Sequence, residues 1–210
     1  MGDYHRGLNP EVIVTAARRL GLANLSVAAV AQELSVSTAA IYRHIPSREA
    51  LEIAVLNSYL EDFHVSGPVT STRGFLLDFS QRLFTLGANH PGLAQGLYRH
   101  SPQCQEVQRI DHEAATLLHA AGLPYDIAGV LVSTVALVSL SLTHADQEVR
   151  AQAGQGADVA VDIGTGTPLP GAQRFALLMV PLIDGLLSYT TDVTDVRTFL
   201  ARIEEGTRRE

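Results

Sequence analysis

The chain has 210 residues, of which 46% are hydrophobic and 18% charged, and a formal charge of −7. That is enough apolar material for a buried core and rules out a disordered tail, while the acidic balance argues against a protein that coats nucleic acid indiscriminately. The single cysteine, Cys104, excludes an intrachain disulfide framework. The opening MGDYHRGLNP has no apolar signal-peptide stretch, and Arg6 stands where myristoylation wants Ser or Thr, so a cytoplasmic location is expected.

Asn9-Pro10-Glu11 begins the first helix with a capping side chain, a proline at the first helical position and a carboxylate at the positive end of the dipole. Ile13, Ala16, Ala17 and Leu20 form its apolar face, and Gly21 ends it. Ser26 caps a second helix with Val27, Val30, Ala31 and Leu34 at helical spacing. Ser37 caps a third that carries Ile41 and stops at Pro46. Ser47 caps a fourth, predicted to run to about His64.

A stretch rich in Ser, Gly, Thr and Pro over 65–72 marks the expected boundary between a head, residues 1–64, and a body, residues 65–210. Helical patterns follow over 73–89, 91–99, 104–121 and 125–148. A flexible connection over 151–171 leads to two more helices, over 172–189 and 195–205, with Pro181 expected to kink the first. The most apolar run, 127–142, has sixteen residues, short of the ~20 that span a bilayer. It is expected to be buried in the body and against a second subunit, not in a membrane. With no strand pairing visible, the predicted fold class is all-α: an N-terminal three-helix helix-turn-helix domain and a C-terminal helical domain, to which the family resemblance given below assigns ligand binding and dimerisation.

Between Leu25 and Leu51 two short helices meet at a tight corner, an arrangement that lets one of them enter the DNA major groove. Ala31 permits close approach, and Val36 and Ile41 fill the wedge. The turn usually wants glycine where Ser35 stands, because one residue is left-handed there, at a cost of ~1 kcal/mol for any other side chain. Up to Ala50, five arginines face four acids and leave these fifty residues at only +1, and their basic side chains are arginines with no lysine. Affinity for DNA would therefore need two heads acting together.

Val30-Ala31 through Leu34, Val36-Ser37, Ile41-Tyr42-Arg43-His44 and Ser47-Arg48-Glu49-Ala50-Leu51 resemble the signature of TetR-family transcriptional regulators, and the likeness covers residues 9 to about 63. The resemblance implies a recognition helix over 37–44. Thr38, Ala39 and Ala40 would meet base edges, where the Ser37 hydroxyl can also bond, while Tyr42, His44, Arg48 and Ser26 would hold phosphates. The chemistry of these side chains suits those roles: hydroxyls donate or accept at base edges, and alanine methyls meet a thymine methyl. It also implies a homodimer on a palindromic double-stranded DNA operator, with half-sites ~34–36 Å apart or a multiple of that. The apolar helices over 125–148 and 172–189 would form the dimer bundle.

Asn89-His90-Pro91 with Leu93-Ala94, and the segment from His112 to Leu123, make the body similar to the tetracycline-repressor type of the family. His64 falls where that type has a drug-contacting histidine. Phe79 stands in place of its drug-gripping asparagine, and Leu97 lies near the position of its magnesium-binding histidine. The expected ligand is accordingly an apolar or aromatic organic effector, lined by His64, Phe75, Phe79, Leu83, Tyr98, His112, Thr116, His119, Ser141 and His144. No metal or cofactor is expected, since His112 and His119 lack HxxxH spacing.

The sequence thus points to a ligand-responsive DNA-binding regulator, most simply a repressor released by its effector. Two alternatives stay open: a DNA-binding regulator with no small-molecule effector, and a helical enzyme. The second has little to rest on, for the chain carries no Gly-x-Ser-x-Gly elbow, phosphate-binding loop or dinucleotide fingerprint.

Overall fold

The computed structural model describes residues 7–153 and 169–189. Side-chain capping starts each of the head's four α-helices. Asn9 Oδ1 accepts from Val12 N–H at 2.9 Å to begin α1, Pro10–Leu20. The hydroxyls of Ser26, Ser37 and Ser47 accept from Ala29, Ala40 and Ala50 N–H to begin α2, Val27–Glu33, α3, Thr38–Tyr42, and α4, Arg48–Leu60. Ser35 adopts φ 53 in the turn between α2 and α3, and it is the one non-glycine residue with positive φ among those described. The left-handed turn expected at Ser35 is therefore present.

α4 stops at Leu60, short of the expected His64. The reason is Arg109, whose Nη2 donates to the carbonyls of Leu60 at 3.1 Å and Phe63 at 3.2 Å. A guanidinium thus satisfies helix-end carbonyls that further helical turns would otherwise have bonded.

The body follows as α5, Thr72–Asn89, α6, Leu93–His100, α7, Gln105–Ala120, α8, Tyr125–Ala153, and α9, Gly171–Tyr189. The helix expected over 195–205 and most of the connection expected over 151–171 lie outside the described residues. α8 is the axis of the body and packs on α5, α6, α7 and α9. Its 29 residues exceed the predicted 125–148, and by length and composition alone it could cross a bilayer. Its setting gives another reason for the apolar composition. Ala128, Leu131, Val132 and Val135 join the core, and the buried Ser139 and Thr143 hydroxyls donate one turn back to Val135 and Ser139 carbonyls. Asp146 of α8 forms a buried ion pair with Arg174 of α9 and a second pair with Arg150 at 2.7 Å. α9 runs through Pro181 as one continuous helix.

One hydrophobic core extends from the head into the body through α4, whose Leu51, Val55, Leu56 and Leu60 are all buried. Around it the polar contacts are specific. Arg18 of α1 donates to Ser58 carbonyl at 2.8 Å, the Tyr59 hydroxyl donates back to Arg18 carbonyl at 3.1 Å, and the guanidinium lies 4.8 Å above the Tyr59 ring. The His90 ring packs on the same tyrosine, with centroids 4.4 Å apart. Asn57 Oδ1 accepts from Glu106 N–H at 3.1 Å at the start of α7. Gly92, at φ 90, lies against the head's Leu22 and Ala23; a methyl there would come 3.0 Å from Ala23 nitrogen.

Candidate nucleic-acid interface and effector cavity

α3 is short, and its two faces are unlike. Ala40 and Ile41 are fully buried, whereas Thr38, Ala39, Tyr42, Arg43 and His44 are exposed. This corrects the expectation for Ala40, whose methyl points into the head's core and cannot meet a base. α3 is also narrower than the predicted 37–44: Ser37 is its cap, and Arg43 and His44 belong to the turn that follows.

Of the remaining residues, Ser37, Thr38, Ala39, Tyr42, His44 and Arg48 are exposed and Ser26 is half-buried. Ser37 and Ser26 use their oxygens as caps, which leaves each hydroxyl hydrogen able to donate outward. Arg48 is exposed in the first turn of α4, where free N–H groups already favour an anion. The obvious competitor for Arg48, Glu52 at i+4, is drawn elsewhere: its carboxylate faces Arg99 Nη1 at 3.8 Å and His100 Nε2 at 3.6 Å, both on α6. Sequence reasoning overlooked Arg43, an exposed cation between Tyr42 and His44. Its place inside the motif was the available signal.

The ten residues expected around the effector do not converge on one site. Tyr98, Ser141 and His144 do line a cavity of about 470 Å³ between α6 and α8, together with Ala94, Gln95, Arg99 and Leu140. Phe79 and Leu83 are instead core residues. The Phe79 ring meets Phe63 edge-on at 6.0 Å and lies parallel to the half-buried Phe75 at 6.2 Å. His64 is exposed beyond α4, and its carbonyl accepts from Arg82 Nη2 at 2.7 Å. His112, Thr116 and His119 occupy the outer face of α7. There His112 Nδ1 lies 2.8 Å from the Tyr125 hydroxyl and His119 Nδ1 lies 2.8 Å from Leu123 carbonyl. Helical spacing groups residues along one helix, but it could not say which neighbouring helix each face meets.

The α6–α8 cavity adjoins the connection to the head. α6 carries Tyr98 and Arg99 on the cavity side, Gly96 and Leu97 against buried structure, and His100 at its end. His100 Nδ1 is 3.7 Å from Glu49 of α4, in addition to its contact with Glu52. A second hollow, of about 420 Å³ between α5 and α9, is lined by groups such as Leu77, Phe84, Phe175 and Met179 and, among the described residues, by no charged side chain. Among the described residues no group of three or more metal-ligating side chains comes together. Burial shifts the titration of several groups. Burial and then the nearby Arg18 hold His90 below the ordinary histidine value, and burial raises Asp111 above the ordinary carboxylate value. Cys104 is fully buried, and its thiol is pushed up to about 11, so it is a packing residue and not a nucleophile at neutral pH.

Residues 13–55 match the family of bacterial regulatory proteins named tetR. No curated protein is recognisably similar in sequence. Solved structures share the fold over most of the chain. ActR from Streptomyces coelicolor, without ligand, is 21% identical with a TM-score of 0.71, covering 89% of this chain and 98% of that one. A variant of TetR from Acinetobacter baumannii AYE, in complex with minocycline, is 19% identical with a TM-score of 0.68, covering 87% and 98%. BioQ with its natural double-stranded DNA operator is 21% identical with a TM-score of 0.62, covering 85% and 97%.

Proposed function

We propose that this chain, whose residues 13–55 match the tetR family of bacterial regulatory proteins, is a cytoplasmic, dimeric repressor of that family released from a palindromic operator by a small organic effector. The observation that carries this reading is the exposed surface of Thr38, Ala39, Tyr42, Arg43, His44 and Arg48, joined through α4 to a cavity-bearing α6. The structural relatives support both halves of it: BioQ is seen on operator DNA and TetR with minocycline.

Two copies are required on physical grounds. With a net charge of only +1 over residues 1–50 and a recognition helix of five residues, one head has few phosphate contacts to offer alone. Val130 and Leu137 of α8 and Leu177 and Leu178 of α9 remain 42–63% exposed, an apolar surface suited to a two-fold bundle. Effector in the α6–α8 cavity would shift α6, and α4 would follow through the contacts of Glu49, Glu52 and Leu56. Such a ligand acts only if it binds the DNA-incompetent arrangement more tightly than the competent one.

The test is selection of a binding sequence from random duplex DNA, followed by titration at several salt concentrations. A dimer on a palindrome with strongly salt-dependent affinity is expected. Equal affinity for all sequences would overturn the proposal.

A further inference from the structure

The α6–α8 cavity holds a cation that the fold keeps only loosely. Arg99 lines it with 49% of its side chain exposed, and its Nη1 lies 3.8 Å from Glu52, beyond hydrogen-bond range. Glu52 is more deeply placed, at 16% exposure, and shares His100 with Glu49. The rest of the cavity wall offers the Gln95 amide, the Tyr98 and Ser141 hydroxyls, the His144 imidazole and the apolar Ala94 and Leu140. Among the described residues no carboxylate lines it. A wall with one underused guanidinium, several uncharged polar groups and an apolar floor is complementary to an amphiphilic anion.

We infer that the effector of this protein is an organic acid with an aromatic or alicyclic body, whose carboxylate takes the Arg99 guanidinium away from Glu52. The inference rests on the reading of this cavity as the effector site and adds the chemical class of the ligand. A carboxylate arriving within the cavity can bond the guanidinium fork in two places, a stronger arrangement than one contact at 3.8 Å. Binding and the untying of α6 from α4 then become a single event. α4 carries Arg48 in its first turn, so the same event reaches the DNA surface. Competition also has a thermodynamic signature: removing the charge of Glu52 must tighten the acid, because the two anions contend for one cation.

The experiment is calorimetric titration of the full chain with 2-naphthoate and, as a neutral counterpart of the same shape, 2-naphthamide. Naphthoate is expected to bind roughly tenfold or more tightly than the amide. Arg99→Gln should erase that preference and Arg99→Lys should keep part of it. Glu52→Gln should tighten naphthoate several-fold and leave the amide unchanged. Ser141→Trp, which fills the cavity from an exposed position, should abolish both, with thermal melts confirming that each variant is folded. If acid and amide bind equally and both are lost in Ser141→Trp, the acidic class fails and the cavity reading stands. If naphthoate binding ignores Ser141→Trp, the cavity reading falls with it. An unchanged naphthoate affinity in Glu52→Gln, or no heat from either probe, overturns the inference.

Discussion

Gly96 of α6 lies so close to Leu56 of α4 that a methyl group at position 96 would stand 2.8 Å from Leu56 Cδ2. Leu56 is fully buried, so its side chain can retreat only by displacing packed neighbours. Gly96→Ala should therefore push α6 from α4 and cost about 1–3 kcal/mol of stability. It should also weaken operator binding, although position 96 is remote from the DNA surface. Urea unfolding and operator titration check this, and unaltered stability would mean the helices can separate freely.

Tyr42→Ala and Arg48→Ala remove exposed side chains, so the unfolding midpoint should stay nearly constant while DNA affinity falls for every sequence. For Arg48→Ala the slope of log affinity against log salt should shrink by about one unit, as for one lost phosphate contact. A loss confined to the selected operator would argue for base reading by these residues.

Thr38→Ala should act differently, by altering preference at one operator position at a cost of roughly 1–3 kcal/mol for the favoured base. Repeating the sequence selection with the variant decides it. A uniform loss across sequences would place the reading surface elsewhere on the head.

Ser35 holds φ 53, a conformation that glycine adopts without strain. Ser35→Gly should stabilise the protein by about 0.5–1 kcal/mol and leave operator preference unchanged. Chemical denaturation measures the gain, and a loss of stability would show that the serine hydroxyl contributes more than its backbone costs.

His90 gives a pH dependence with a definite sign. In the unfolded chain it titrates near the ordinary histidine value of about 6.5, and in the fold burial and then Arg18 lower it. The unfolded state consequently binds the proton more readily. His90's contribution is complete above about pH 6.5 and is lost as pH falls through that value toward its folded one. Asp111 acts in the opposite sense, since burial raises its pKa and the folded state favours its protonated form. Thermal midpoints recorded from neutral to mildly acidic pH should drop in the native chain and drop less in His90→Phe. Identical profiles would remove His90 as the cause.

The helix starts were legible because capping is local: Asn9, Ser26, Ser37 and Ser47 each bond an amide three residues on, and the turn at Ser35 follows from two helices crossing within four residues. Ala40 was misread for the converse reason. A helix of five residues is too short for its own periodicity to show which side is covered, and α3 turns Ala40 and Ile41 inward together. The end of α4 depended on Arg109, forty-nine residues from Leu60. The effector list scattered for a similar reason. Which of Tyr98, Phe79 and His112 faces a cavity depends on how α5, α6 and α7 are set around α8, and no single helix records that. Arg99 escaped notice because an arginine beside an exposed tyrosine reads as solvated surface until α8 is placed opposite it.

The Tyr59 ring, in contact with Arg18 of α1 and with His90 after α5, bears on how such a protein can be re-engineered. The reading head is not an interchangeable cassette. A graft joined after residue 64 would bring in a foreign α1 and α4 and leave His90 and Gly92 facing surfaces they were not shaped for. An exchange restricted to residues 26–46 keeps Arg18, Tyr59 and His90 together. Operator specificity could then be transplanted while the lever arm stays native.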